Sequence, residues 1–490
     1  MPDPHLLIFI SPEIILALLG LVILLLDLIF RERIHPALPW VAVVGFALAL
    51  AATLYIWGAN QSLFAGMYAV DTFSLFFKLI ATLSGIIVTL ISIDYLRSRT
   101  PYKGDFFTLF TFAILAMTLM ASATNLLMIY LSIEFLSYTS YLLTGFLRND
   151  KRSNEGAIKY FLYGAITSAV MLYGLSLFYG ISGSMNLSEL ASVFAATSDN
   201  TVRAVGLVAS ALVLAGFGFK ISLVPFHQWA PEAYEGAPTP VTAFLSVGPK
   251  AAGFALLLRL VLTALPALQN ALIPLLGAIS IATMTYGNLV AIQQTNIKRM
   301  LAYSSIAQAG YMLIGLVGVN LTGNSPFLGL NGVLIYLFAY LFTNLGAFIC
   351  AIAIEDATGI VEIPDYAGLV RRSPYVAALL VYFFLSLAGI PPTAGFIGKF
   401  FVFAAALRTG FLFLAAVGVV NSIISVFYYF GVVRAAFFLE PKDSTPIRVS
   451  PVVTAALTVV GVVVLLIMVY PDPLYNVASM SLAMLGGTVR

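Results

Sequence analysis

Long apolar runs separated by short polar segments follow one another along almost the entire chain. A transmembrane helix needs about 20 consecutive apolar residues. Fourteen stretches meet this rule, with boundaries near 6–30, 38–58, 71–95, 105–123, 125–147, 155–180, 203–224, 238–262, 267–290, 299–319, 327–351, 375–407, 408–432 and 450–471. The pattern therefore predicts an all-α polytopic membrane protein with about 14 transmembrane helices.

Helix-breaking residues interrupt two of these runs. Gly216 to Lys250 contains several prolines, and Lys220 and Lys250 each have a helix breaker close by. The twelfth run is too long for one straight crossing and contains a cluster of breakers: Gly389, Pro391, Pro392, Gly395 and Gly398. Interrupted helices are tolerated at membrane depth only where they are buried in protein or line a water-filled cavity. Helices 7 and 12 are therefore expected to be discontinuous.

Three short matches in the second half of the chain repeat features of the first half. The matched pairs are Tyr130–Tyr138 with Tyr303–Tyr311, Thr167-Ser168 with Thr343-Asn344, and Lys220 near Pro225 with Lys399 near Pro392. Their offset is 173 to 179 residues, or five spans. Because five is odd, the two units face opposite ways, as in the inverted repeats of many transporters. The predicted divisions are 1–104 (three helices), 105–262 (helices 4–8), 267–432 (helices 9–13) and 433–490 (a C-terminal helix and tail).

Composition narrows the class of protein further. Of 490 residues, 61% are hydrophobic and 9% are charged, against about 25% charged in soluble domains. The net charge of +3 gives no reason to expect a nucleic-acid partner. One cysteine and three widely separated histidines argue against a disulfide framework and against a Cys- or His-ligated metal centre. No phosphate- or dinucleotide-binding motif is found, so no cofactor is expected in this chain.

The distribution of Lys and Arg residues predicts the orientation in the membrane. With the N-terminus outside, fifteen of the 24 lie in inside loops and three lie outside, namely Arg203, Arg408 and Arg490. The other six lie within spans: Lys78, Lys159, Lys220, Lys250, Arg259 and Lys399. Cytoplasmic loops carry the excess of positive charge. Both termini are therefore expected on the outer, periplasmic side of a bacterial inner membrane or an equivalent energy-transducing membrane.

Four charged residues within spans are candidates for moving protons. Glu134 lies nine residues into span five, too deep to reach an interface, and Lys220 is its expected partner. Lys250 has no acid near it in sequence, and Lys399 follows the break in span twelve and mirrors Lys220 in the repeat. Intramembrane ionisable residues are costly and commonly mark proton routes. A lysine whose distance from a carboxylate changes can take up and release a proton. The alternative is a set of static ion pairs that hold helices together.

Two further residues, Lys159 and His227, are weaker candidates. Lys159 lies a few residues into span six, so it could also extend to the interface. His227 suits a proton shuttle, but it could equally be an interfacial histidine bonded to a loop carbonyl. Arg259 and Lys78 are expected to extend to the interface, and Glu13 is expected to lie at the interface.

The chain resembles the antiporter-like membrane subunits of respiratory complex I over nearly its whole length. The most specific match is one run: Phe219-Lys220, Pro225 through Glu232, Ala237-Pro238-Thr239-Pro240-Val241 and Pro249-Lys250. Other matches are Glu134-Phe135, Arg152 through Tyr160, Asn296 through Ser305, Gly389 through Thr393, and Gly398-Lys399-Phe400. Fourteen spans, a lysine in span twelve and no long C-terminal amphipathic helix favour the N type over the L and M types.

The resemblance implies a function as well as a fold. It implies a proton channel that forms part of a proton-translocating NADH-quinone oxidoreductase and has no redox centre of its own. Glu134 would pair with Lys220, and Lys250 and Lys399 would continue a hydrated line. The partners would be other membrane subunits, and the whole complex would use quinone and either NADH or ferredoxin. The alternatives are a subunit of a multisubunit cation/proton antiporter without electron transfer and a membrane scaffold.

Overall fold

The computed structural model describes residues 4–319, 328–441 and 443–486, so Lys442 and Arg490 of the charge analysis lie outside the described residues. Nineteen α-helices and one β-hairpin were found there. The helices of the first half are α1 Ser11–Phe30, α2 Leu38–Tyr55, α3 Thr72–Arg97, α4 Lys103–Ser122, α5 Leu126–Thr144, α6 Lys151–Ser182, α7 Leu187–Ala196, α8 Asn200–Ile221, α9 Trp229–Gly236 and α10 Thr239–Arg259. Those of the second half are α11 Gln269–Ala291, α12 Ile297–Val317, α13 Leu328–Thr358, α14 Leu369–Arg372, α15 Pro374–Ala388, α16 Ala394–Arg408, α17 Leu412–Phe438, α18 Pro451–Val469 and α19 Asp472–Gly486. The hairpin pairs β1 Gln61–Leu63 with β2 Tyr68–Val70, antiparallel.

The predicted number of spans is confirmed. Thirteen helices of the described residues are long and apolar enough to cross a membrane. The remaining predicted span, the twelfth, corresponds to α15 and α16, two helices of 15 residues each. The short helix α19 and the β-hairpin were not predicted as elements, because their segments are too short or too polar to count as apolar runs.

Both predicted breaks are present, and they share one local structure. Ser222 caps the C-terminus of α8 and Gly389 caps that of α15, both in the left-handed conformation, with φ of 63° and 82°. After each, the next backbone N–H donates to a carbonyl five residues back, from Leu223 to Gly218 and from Ile390 to Leu385. This is the Schellman motif of helix C-termini. A second half-helix, α9 or α16, follows each break, so helices 7 and 12 are discontinuous as predicted.

The lysines of helices 7 and 12, which the sequence pairs with each other, lie at different positions relative to the two breaks. Lys220 lies two residues before its cap at Ser222, whereas Lys399 lies ten residues after its cap at Gly389. The residue ten positions after Ser222 is Glu232. Counted from the break, the counterpart of Lys399 is therefore Glu232 on α9, and Lys220 has no charged counterpart.

The helices that carry the buried charges form the interior of the bundle. The spans of α10 and α12 are buried entirely within the protein, whereas α1 and α6 expose most of their apolar side chains. Every residue of α10 is buried, including Lys250 and Arg259. Exposed apolar side chains suit contact with lipid or other membrane subunits. The described fold thus places charged candidates of the core helices out of reach of lipid.

Three expectations for charges near span ends are wrong. Arg259 does not extend to an interface: it is 3% exposed and donates two hydrogen bonds to the carboxylate of Asp71, at 2.8 and 3.0 Å. Glu13 and Lys78 do not lie at an interface either: both are buried, with one carboxylate oxygen of Glu13 3.1 Å from the Lys78 ammonium. Both pairs lie at the end of the bundle that bears β1 and β2. The hairpin and the start of α3 cover side chains that the sequence places near a membrane surface.

Candidate functional site

Glu134 and Lys220 lie on neighbouring helices but are held by serines rather than by each other. The Ser168 hydroxyl of α6 donates to Glu134 of α5. The Lys220 ammonium of α8 donates to Ser137 Oγ at 2.7 Å, one turn further along α5. Among the described residues, no ion pair within 4 Å joins Glu134 to Lys220, although the carboxylate acts electrostatically on the ammonium.

Helix α10, which carries Lys250, packs against the Lys220 side chain. The Gly253 position of α10, three residues after Lys250, lies against the Lys220 side chain, where an added Cβ would be 3.3 Å from Lys220 Cγ. The Lys250 ammonium donates to the backbone carbonyl of Ser305 on α12 at 2.9 Å. The preceding Pro249 has no N–H, which leaves the Leu245 carbonyl without its usual helical donor. Lys250 is thus buried among neutral oxygen acceptors.

A chain of hydroxyl and amide groups continues from the Lys250 region towards helix 12. Ser304 and Tyr429 of α17 share a hydrogen bond of 2.5 Å between their hydroxyl oxygens. The Gln308 amide donates to the Tyr429 hydroxyl at 3.4 Å and to the Leu387 carbonyl at the end of α15 at 2.9 Å. Tyr336 of α13 donates to the Gln308 carbonyl oxygen. Side chains that can both donate and accept therefore connect α12 to the break in helix 12.

Lys399 lies directly at that break. Its ammonium donates to the Ala388 carbonyl at 2.9 Å and lies 4.4 Å from the centre of the Tyr311 ring. Gly389 packs so closely that a Cβ there would be 2.6 Å from Lys399 Cδ. The side chain is 3% exposed and borders a mostly apolar cavity of about 370 Å³. The left-handed cap at Gly389 thus frees a carbonyl that binds the lysine.

The three central lysines share one kind of environment. Within the described residues, Lys220, Lys250 and Lys399 have no carboxylate oxygen within 4 Å, and each is at most 3% exposed. Each ammonium instead donates to a neutral oxygen: a serine hydroxyl or a backbone carbonyl. A buried ammonium that is not held by an opposite charge can lose its proton without leaving an unpaired carboxylate behind. Such a group suits proton transfer better than helix bracing.

Lys159 and His227, the two weaker candidates, lie in different surroundings. Lys159 is half-exposed and contacts Glu155 at 2.7 Å and Glu232 at 2.9 Å, so it belongs to an ion-pair network at the end of the bundle opposite the hairpin. Arg299 joins this network through Glu232 and Glu235. Buried His227 follows the break in helix 7, with its ring 4.4 Å from that of Tyr286 and close enough to Lys250 to interact electrostatically. His227 therefore borders the lysine row, whereas Lys159 does not reach it.

Several groups in this region were not assigned a role from the sequence. They are Ser137, Ser305, Gln308, Tyr336 and Tyr429. None carries a charge, so the cost that singles out a lysine in an apolar run does not apply to them. Lys298 was assigned to a loop but is 6% exposed, and its ammonium donates to the Ala237 carbonyl at 2.7 Å.

Comparison with known proteins identifies the class. A family model described as "NADH:quinone oxidoreductase/Mrp antiporter, TM" matches residues 123–425, more than half of the chain. The chain belongs to this family of antiporter-like membrane subunits, which confirms the resemblance drawn from the lysine and proline motifs.

Individual relatives place it more closely within the family. NADH-quinone oxidoreductase subunit N of Moorella thermoacetica is 42% identical over 482 residues, covering 98% of each chain. A chain of respiratory complex I from Thermus thermophilus is 34% identical, with a TM-score of 0.79, and the match covers 95% of this chain and 98% of that one. A chain of the Mrp complex from Dietzia sp. has a TM-score of 0.85 at 22% identity and covers 98% and 97% of the two chains. The last similarity concerns the fold alone.

Proposed function

We propose that this chain translocates protons as an N-type membrane subunit of a complex I type quinone oxidoreductase. The observation that carries the proposal is the row of buried lysines, Lys220, Lys250 and Lys399, each held by a neutral oxygen instead of a carboxylate. Intramembrane charges are retained where they work in ion or proton routes. The full-length similarity to subunit N of Moorella thermoacetica supports the assignment to this kind of complex.

We propose one role for each of these residues, and the contacts support it. Glu134 modulates Lys220: when the carboxylate approaches, the ammonium form is favoured, and when it stays on Ser168, the proton can leave. Lys250 relays the proton, with His227 beside it. Ser304, Tyr429 and Gln308 connect the relay to the break in helix 12. Lys399, bound to the carbonyl that this break frees, is the terminal donor.

The electron-transfer chemistry is assigned to other subunits. The relatives are named as parts of complexes that oxidise NADH and reduce quinone. Within the described residues, no three or more His, Cys, Asp or Glu side chains are grouped to hold a metal ion. We propose that this chain supplies the proton path, that its partners are the other membrane subunits, and that NADH or ferredoxin donates electrons elsewhere in the complex.

A direct test compares Lys220→Met and Glu134→Gln in the assembled complex. Because the pair modulates one proton step, both variants are expected to lower the number of protons translocated per electron in reconstituted vesicles. Lys151→Gln, which alters an exposed lysine at the start of α6, serves as the matched control. If both variants assemble and translocate as many protons per electron as the control, the proposed roles are wrong.

The orientation is proposed from the loop charges and can be tested with thiol labelling. The only native cysteine, Cys350, is buried, which keeps background reaction low. Ser62→Cys on β1 and Ser98→Cys after α3 place exposed thiols at opposite ends of the bundle. A membrane-impermeant reagent added outside is expected to label position 62 and not position 98. The reverse labelling would invert the proposed topology and place both termini inside.

A further inference from the structure

Lys399 differs from Lys220 in the group that faces its ammonium. The carboxylate of Glu134 acts electrostatically on Lys220, whereas no carboxylate oxygen of the described residues lies within 4 Å of Lys399. The Lys399 ammonium lies instead over the ring of Tyr311 on α12, 4.4 Å from the ring centre, and donates to the Ala388 carbonyl. Tyr311 is fully buried, at 0% exposed. An aromatic face therefore lies where the first repeat has an acid.

The internal repeat places Glu134 and Tyr311 on counterpart helices, α5 and α12. With the offset of 173 residues between these helices, Glu134 corresponds to Ala307, which supplies no charge. Tyr311 lies one helical turn after Ala307, where its ring reaches Lys399. Tyr138, the counterpart of Tyr311 on α5, is 56% exposed and lies on the outside of the bundle. The second repeat thus has no carboxylate at this place and turns a tyrosine inward to its lysine instead.

A ring face attracts a cation without binding its proton. The quadrupole of an aromatic ring gives the face a negative potential, and its attraction for an ammonium group is strongest where the pair is desolvated. A carboxylate at the same distance would hold the ammonium form much more tightly, because full opposite charges attract strongly where the dielectric constant is low. The ring of Tyr311 therefore favours the protonated form of Lys399 and still allows the proton to leave.

Hydrogen bonds from two other helices hold the ring in position. The Asn288 amide of α11 donates to the Tyr311 hydroxyl at 2.8 Å, and the Tyr428 hydroxyl of α17 donates to the Asn288 carbonyl oxygen at 3.0 Å. Asn288 also donates to the side-chain oxygen of Asn421 on α17 at 3.2 Å. These four side chains are at most 5% exposed. The network therefore fixes the ring face against the Lys399 ammonium.

The ionisable side chains that neighbouring helices direct towards this site are tyrosines: Tyr336 of α13, and Tyr428 and Tyr429 of α17. On α15, Tyr382 lies six residues before Ala388, and α18 carries no ionisable residue. Phenols are neutral near pH 7. A change in pH dependence that follows an alteration of the Tyr311 ring would therefore report on Lys399.

We propose that Tyr311 is a positioning residue for the last proton step: the face of its ring holds the ammonium form of Lys399 until the proton is released. The role rests on the proposed function, because Lys399 must be the terminal donor. When the proton leaves Nζ of Lys399, a neutral amine remains, and the ring neither gives up a proton nor forms a bond. Tyr311 thus does for Lys399 what Glu134 does for Lys220.

Replacing Tyr311 by phenylalanine and by a trifluorinated phenylalanine in the assembled complex tests this role. Fluorine withdraws electron density from the ring face and hardly changes its shape, so assembly should survive. Protons translocated per electron in vesicles are measured as a function of pH. Tyr311→Phe keeps the ring face and is expected to keep the wild-type pH dependence. The fluorinated ring holds the ammonium less well, so Lys399 loses its proton at lower pH. The alkaline limit of translocation should then fall by about one pH unit, a tenfold change in the proton equilibrium.

Three results would overturn the role of Tyr311. An unshifted pH dependence with the fluorinated ring would mean that the ring face does not hold the ammonium. Equal shifts in Tyr311→Phe and the fluorinated variant would assign the effect to the lost hydroxyl. The matched control is Tyr138→Leu, which removes the counterpart ring on α5, and an equal shift there would make the effect independent of Lys399.

Lys399→Met decides the proposed function separately. Normal translocation by an intact Lys399→Met complex would show that Lys399 is not the terminal donor, and the proposed function would fail at this residue. If Lys399→Met loses translocation while the fluorinated ring leaves the pH dependence unshifted, only the role of Tyr311 is wrong.

Discussion

Lys250→Met is expected to remove this subunit's share of the protons translocated per electron. Lys250 is the middle member of the row, and its ammonium is the group that joins the Lys220 region to α12 through the Ser305 carbonyl. Methionine matches the length of the side chain but cannot bind a proton. Positioned proton-transfer groups contribute about 10²–10⁴-fold to the rate of a step, so transfer through the chain would be too slow to keep pace with turnover.

Assembly should not suffer in this variant, which makes the result interpretable. Lys250 is 2% exposed and has no carboxylate partner among the described residues. Replacing a buried charge by an apolar group of similar volume is commonly neutral or stabilising. The measurement is the number of protons translocated per electron in vesicles, with the amount of intact complex determined in parallel and Lys151→Gln as control. Normal translocation by an intact Lys250→Met complex would exclude a relay role.

Lys399→Arg is expected to abolish proton release at the end of the row, although it keeps the positive charge. Arginine donates to carbonyls and stacks on rings as lysine does, so it can preserve the contacts to Ala388 and Tyr311. It cannot be deprotonated in a protein. The cavity of about 370 Å³ beside Lys399 gives room for the larger guanidinium.

This substitution distinguishes two roles for Lys399: a donor that releases a proton, and a cation whose charge only holds helices together. A bracing cation would be served by Arg, and Lys399→Arg would then translocate protons like the wild type while Lys399→Met would fail. A terminal donor requires a group that can lose its proton, so both variants should translocate fewer protons per electron. The ratio measured in vesicles for the two variants, beside the Lys151→Gln control, decides between these roles.

The features that could be predicted from sequence were residues that cost much free energy in an apolar helix, whatever their partners. A lysine or a proline in an apolar run is visible without any knowledge of its partner, because charge and a missing N–H are expensive at membrane depth. For this reason the two breaks, the number of spans and the deep lysines were predicted correctly. The close match to known motifs around Lys220 and Pro225 then identified the family.

The partners of those residues could not be predicted, because they come from distant parts of the chain. Ser137 is 83 residues from Lys220, and Ser304 is 125 residues from Tyr429. Such neutral side chains leave no pattern in sequence, since serine and tyrosine are common in membrane helices. The direct contact expected between Glu134 and Lys220 is absent from the described structure, because each group binds a serine instead. The sequence did not indicate these serines as partners.

The burial of Arg259 could not be predicted from its position along its own helix. It lies near the end of its span, where an arginine can normally extend to the interface. Its partner Asp71 is 188 residues away, and the hairpin that covers this end of the bundle was not predicted. The sequence indicates how far a residue lies along its own helix, whereas burial depends on which other elements end beside it.

The central claim is that protons pass through the interior along Glu134, Lys220, Lys250 and Lys399. The most direct measurement is a map of the assembled complex at a resolution that shows ordered waters in the membrane interior. The claim predicts a continuous file of hydrogen-bonded waters and side chains that joins Ser137 and Lys220 to Lys250 and then runs past Gln308 to Lys399. Tightly packed apolar side chains with no water between Lys220 and Lys250 would contradict it.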